Sequence, residues 1–276
     1  MKRGFSYAVA ALGLVGAGLR GLQLHTGYET DTGLPIAGNL YWPALVAFSV
    51  LAVALIFLWA WRQPKEKGVP FGDVFGTSSM AYKTIAVCCG AGMVAVGIYG
   101  AIVVLTRELP QAQSLLQRVG LAASALVWLL GSAAGLGLVV LAAMQGNRGQ
   151  GRPGLVSLTA VPMFWAGLAL VFTYRDYSAE PALSLFALEL FSVIAVMYGL
   201  YAQASFLFSF GSVRRFQACS LVACYLLFTT QGGQVVQVLL GGEMTWQTPM
   251  LLRQVMLLCC GVFLYANVLI TQSRES

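Results

Sequence analysis

The stretch Tyr41–Trp61, YWPALVAFSVLAVALIFLWAW, runs for twenty-one residues without a charged side chain. At 1.5 Å per residue it makes a helix about 30 Å long, which matches the hydrocarbon core of a bilayer. It lacks the strict alternation of a transmembrane barrel strand. A helix pairs its own backbone groups, which a segment surrounded by lipid must do. Similar runs recur at Phe5–Leu24, Tyr82–Leu105, Val119–Ala143, Leu155–Tyr174, Ala182–Phe210, Phe216–Leu240 and Met250–Thr271. The expected fold class is therefore all-α: a single polytopic transmembrane helix bundle over residues 1–276, with about eight spans. The sixth run is the longest and is expected to tilt or to project beyond the membrane.

Composition agrees with that reading. The 276 residues are 58% hydrophobic and 9% charged, far below the roughly 25% charge of a soluble domain. Mean hydropathy is +0.77. The formal charge of +6 carries no basic cluster with interleaved aromatics, which argues against a nucleic-acid partner. All six cysteines fall within apolar runs, so no disulfide framework is expected. Met1-Lys-Arg3 precedes the first run, as in a signal peptide, but the run continues to Leu24 without a clear cleavage site. A retained helix is the expectation.

Basic residues orient the bundle. With the N-terminus in the cytoplasm, Lys2, Arg3, Arg62, Lys65, Lys67, Lys83, Arg148, Arg152, Arg214, Arg215 and Arg274 lie inside. Arg20, Arg107, Arg118, Arg175 and Arg253 lie outside, giving 11 against 5 of the 16 basic residues. The inner surplus follows the positive-inside bias and places both termini in the cytoplasm. Trp42 and Trp246 at outer ends, with Trp59 and Trp61 at an inner end, are expected in interfacial aromatic belts. Phe71, Val74 and Phe75 suggest a short amphipathic segment on the inner surface, with an ordered loop as the alternative. The Gly146–Gly154 stretch lacks the Gly-Lys-Ser/Thr ending of a phosphate loop and reads as a linker, with Arg148 and Arg152 near anionic headgroups.

Glu189 is the most informative residue. It lies about eight residues beyond Pro181, or ~12 Å into the sixth run. A carboxylate at that depth must pair, line water or be protonated. Arg20 and Arg253 occupy comparable depth on the first and eighth runs. Gln231 and Gln234 share one side of the seventh. These five residues form the candidate ligand-binding site, with Arg175 and Asp176 as a cavity rim. Two readings compete: interhelical pairing and hydrogen bonding, or an outward-facing site for a polar or zwitterionic ligand. Glycine-rich series at Gly13, Gly16, Ala17 and Gly21, at Gly97 and Gly100, and at Gly131–Gly135 suit close helix packing.

His25 is the single histidine, which excludes zinc sites built on paired histidines and bis-histidine haem. No Gly-x-Ser-x-Gly elbow is present. No catalytic residue, metal or cofactor is expected. The segment Gly27-Tyr-Glu-Thr-Asp-Thr-Gly-Leu-Pro35, following Arg20, and the segment Arg175-Asp-Tyr-Ser-Ala-Glu-Pro181, followed by Glu189, resemble parts of uncharacterised multi-spanning membrane proteins of Gram-positive bacteria. That resemblance implies a multi-pass protein of a bacterial plasma membrane and carries no activity. The functional expectation is a carrier or ligand-binding membrane protein. The alternatives are a non-catalytic scaffold or subunit of a membrane complex, and a lipid-acting enzyme. Expected partners are membrane lipids, with a small polar ligand in the first case and a membrane protein or second copy of the chain in the other.

Overall fold

The computed structural model describes residues 2–29, 34–63, 69–146, 157–178, 182–208, 210–244, 246 and 248–274. Lys65, Lys67, Asp31, Arg148, Arg152 and Pro181, together with most of the Gly146–Gly154 linker, lie outside the described residues. Among the described residues there are nine α-helices: α1 (Lys2–Thr26), α2 (Tyr41–Trp61), α3 (Phe71–Phe75), α4 (Met80–Val103), α5 (Leu115–Gly146), α6 (Val161–Asp176), α7 (Leu183–Ala204), α8 (Val213–Leu239) and α9 (Thr248–Arg274). Extended pairing among those residues amounts to an isolated bridge between Tyr28 and Pro35.

Seven of these helices are long and apolar enough to cross a membrane. The fifth expected span is the exception. It appears as α6, of 16 residues, preceded by a 3-10 turn over Ser157–Ala160. The sixth expected span is continuous over Ser184–Phe208, with its last turn tightening to 3-10 geometry at Ser205–Phe208.

Sequence sets the helix ends. The Ser79 hydroxyl caps α4 by accepting from the Tyr82 N–H at 3.4 Å. The far end of α4 widens into a π turn, Val104–Glu108, before Pro110, whose ring supplies no N–H to continue the ladder. Helix α8 stops at Gly241, which has φ of 86°. The Gly242 N–H reaches the Gln237 carbonyl and the Gly241 N–H reaches that of Val238, both at 3.0 Å. This is a Schellman stop, and glycine takes its left-handed residue without a Cβ clash.

Helix α1 packs along α8, and α4 along α5; α9 touches α4 and α8, while α7 joins α6 to α8. The glycine series fits into these seams. Along α1, Gly13, Gly16 and Gly21 face Phe228, Thr229 and Val236 of α8. Between α4 and α5, a Cβ on Gly90 would lie 2.7 Å from the Gly135 carbonyl oxygen, so the two backbones are in near contact there.

The end of the bundle where α1 begins and α9 ends is closed by buried amides and hydroxyls. Tyr82 and Gln145 both donate to Oδ1 of Asn267, at 3.1 and 2.7 Å. Ser6 donates to Gln272 at 2.9 Å and Gln217 donates to Thr271 at 3.1 Å. The expected surface segment is part of this closure. Phe71, Val74 and Phe75 are buried, and Phe75 meets Phe206 and Phe216 edge-on at 5.1 and 4.9 Å. The short amphipathic helix is present as α3, with Asp73 exposed, but its apolar face packs against the bundle. Three apolar side chains within five residues find more burial inside the bundle than on its rim.

Candidate functional site

The opposite end of the bundle holds the C-terminal end of α1, the end of α6, the start of α7 and the start of α9. Arg20 and Glu189 meet there. The Arg20 side chain is 0% exposed and Glu189 is 1% exposed. Nη2 of Arg20 stands 3.8 Å from Oε1 of Glu189. That gap is too long for a hydrogen bond, and the guanidinium donates elsewhere. Nη1 donates to Gln23 at 2.5 Å and to the Ser184 carbonyl at 3.0 Å, while Nη2 donates to the Leu185 carbonyl. Ser184 and Leu185 lie in the first turn of α7, so Arg20 ties α1 to that turn.

Gly233 of α8 makes this placement possible. A Cβ there would fall 2.7 Å from Cβ of Arg20 and would also strike its Cγ. Absence of a side chain at this one position provides the channel in which the arginine stem lies.

Glu189 receives two further donors. Tyr177 Oη donates to Oε2 at 2.5 Å and the Trp246 indole N–H donates to Oε1 at 2.9 Å. Trp246 is therefore buried beside the carboxylate instead of lying in an interfacial belt. An indole that has an internal acceptor has less reason to stay at the water boundary. Burial, reinforced by the neighbouring Glu189, pushes the Tyr177 phenol above its ordinary range, so it serves here as a donor. Gln23 extends the network by donating to Tyr28 Oη at 2.7 Å, and Tyr28 donates to Ser184 Oγ at 3.0 Å.

Arg253 does not join Glu189. It pairs with Asp176, which also holds Arg175 at 3.1 Å. The expected rim and one of the expected ligand residues thus form a second cluster, a step closer to solvent. Gln231 donates to the Gln254 carbonyl at 2.9 Å and ties α8 to α9. Gln234 is buried on the same helix.

A cavity of about 690 Å³ opens at this end, and its wall includes Arg107, Glu108, Arg175, Asp176, Tyr177 and Arg253. The volume lies within the range of small-molecule sites. Three of the seven expected site residues line it: Arg175, Asp176 and Arg253. Arg20, Glu189, Gln231 and Gln234 lie behind or beside it. Tyr177 belongs to both groups, since it lines the cavity and bonds Glu189. Arg107 and Glu108, carried by the π turn, have no ion-pair partner among the described residues. Arg107 is among the outer basic residues in the sequence but stands apart from the expected site residues. The signal available was a charged pair just before Pro110. Nothing in the sequence marked Tyr177 or Trp246 as donors to Glu189.

The charge inside the cavity is mixed, with three arginines against Asp176 and Glu108. Such a lining suits a solute bearing a carboxylate or phosphate, with or without an ammonium group. No group of three or more histidine, cysteine or acidic side chains able to hold a metal ion occurs among the described residues. No protein family, curated protein or solved structure matches this chain.

Proposed function

We propose that this chain is a multi-pass membrane protein of eight spans, with both termini in the cytoplasm, that binds a small anionic or zwitterionic solute from the outer side. The role is that of a carrier or ligand-binding protein of a plasma membrane. The fifth span, which brings the count to eight in this reading, is the 3-10 turn plus α6, continuous over 157–176. At about 2.0 and 1.5 Å per residue those twenty residues extend roughly 32 Å, enough for a bilayer core. The excess of basic residues at the end where α1 begins supports the orientation.

One observation carries the binding reading. The cavity is lined by the Arg253–Asp176 pair and by Arg107, a cation without a protein counter-ion among the described residues. The network around Arg20 and Glu189 supports the cavity wall from behind, through Tyr177. The scaffold alternative loses much of its motive, because the glycine series is used within the chain, between α1 and α8 and between α4 and α5.

The test is a thermal-stability screen of the purified chain in mild detergent against amino acids, carboxylates and phosphate esters. A member of one of these classes is expected to raise the unfolding midpoint. Arg107→Ala and Arg253→Ala should each abolish that rise while the unliganded protein stays helical. A panel that leaves the midpoint of the intact protein unmoved would overturn the reading.

A further inference from the structure

A second recess lies on the side of the bundle, between α2 and α8, near the end where α1 begins. Ala54, Phe57, Leu58 and Trp61 recur at i, i+3, i+4 and i+7 along α2, and so form one stripe. Arg215, Ala218 and Cys219 form the facing stripe on α8. Together with Ser212 and Arg214 they line a groove of about 660 Å³. Its α2 wall is apolar and exposed, with Phe57 at 52% and Leu58 at 63%.

Both helices are candidate membrane spans, so this wall faces lipid tails. The groove ends in cations. Arg214 places its guanidinium carbon 4.9 Å from the Trp61 ring centroid, and Arg215 stands beside it in sequence. Neither arginine has a carboxylate within ion-pair distance among the described residues. An apolar trough that runs into two uncompensated guanidinium groups at the helix ends complements an amphiphile with a negative head. A second copy of the chain is a poor occupant. The lining contains no acidic side chain, and a two-fold contact through this patch would set arginine against arginine.

We propose that the groove between α2 and α8 is a binding site for an anionic phospholipid. Arg214 and Arg215 hold the phosphate, and one acyl chain lies along Phe57, Leu58 and Ala218. Trp61 stacks against Arg214 and steers it toward the headgroup level. This site shares no residue with the solute cavity and does not depend on it.

The experiment uses the full chain in nanodiscs of equimolar phosphatidylglycerol and phosphatidylcholine, released gently and weighed by native mass spectrometry. Retained phosphatidylglycerol is expected to exceed phosphatidylcholine by roughly 30-fold, the product of two cation–headgroup contacts. The double variant Arg214→Ala/Arg215→Ala should reduce that preference to near unity. Ala54→Trp, which fills the exposed apolar wall and leaves both arginines, should also deplete the bound lipid without moving the unfolding midpoint. Lys83→Ala, a charge removed elsewhere at the same end, should change nothing. Equal retention of the two lipids by the intact chain would overturn the proposal, as would undiminished phosphatidylglycerol in the double variant or an equal loss in Lys83→Ala.

Discussion

Tyr177 Oη donates to Oε2 of Glu189 at 2.5 Å, and the same tyrosine lines the solute cavity. The ring stacks on Phe186 with centroids 4.9 Å apart, so the hydroxyl is held by packing as well as by its acceptor. Tyr177→Phe keeps that stacking and removes one donor from a buried carboxylate. An acceptor stripped of its partner typically costs about 1–3 kcal/mol. The unfolding midpoint in detergent should fall, while affinity for a cavity solute should change less than in Arg253→Ala. An unchanged midpoint would mean the hydroxyl contributes nothing to holding Glu189.

Arg20 and Glu189 should behave as a coupled pair. Arg20→Met leaves a buried carboxylate without its cation and removes one donor from each of two α7 carbonyls, and breaking such a pair from one side costs about 3–5 kcal/mol. Glu189→Gln should cost less, because the remaining amide oxygen still accepts from one of its two donors and Arg20 keeps Gln23, Ser184 and Leu185. The double variant should be more stable than the sum of the single losses predicts. A double-mutant cycle on the unfolding free energy reads this directly, and strict additivity would refute the coupling.

Gly233 tests the same site from a neighbouring helix. A methyl group there would strike the Arg20 stem, which is rigidly tied at its far end to Gln23 and α7. Gly233→Ala should therefore destabilise by about 1–3 kcal/mol, the usual cost of overpacking a filled interior. The added cost of Gly233→Ala should be smaller in an Arg20→Met background, where the side chain is no longer tied at its far end, than in the intact protein. Unfolding midpoints of the intact protein, the two single variants and the double variant decide this.

Much of this architecture is legible in the residues, for reasons of solvent. Runs such as Tyr41–Trp61 cannot be soluble surface, so their number and length translate into helices directly. Glu189 and Arg20 also announce a polar contact, since neither charge is tolerable alone at that depth. Which arginine meets which carboxylate is not legible. Arg20 and Arg253 have comparable sequence depth, and the choice between Glu189 and Asp176 depends on helix rotation and on the room left by Gly233. The buried amides Gln145, Gln217 and Asn267 are not legible as such for a related reason. Near a helix end an amide reads as interface polarity, and only the packing of α4, α5, α8 and α9 turns it inward.

Asp176 offers a test that separates the solute classes. It faces Arg253 and Arg175 at once, so it neutralises part of the positive charge that a bound anion would meet. Asp176→Asn keeps the shape and removes that competitor, which leaves three cavity arginines against Glu108. A purely anionic solute should then bind more tightly, by about tenfold if roughly 1.4 kcal/mol of attraction is released. A zwitterion whose ammonium group used Asp176 should bind more weakly by a similar factor. Because the cavity opens at exposed Arg107 and Arg175, either change should shrink as ionic strength rises. Calorimetric titration of the intact and Asp176→Asn proteins at low and high salt gives the sign. No change in affinity for any solute that stabilises the intact chain would place its binding outside this cavity.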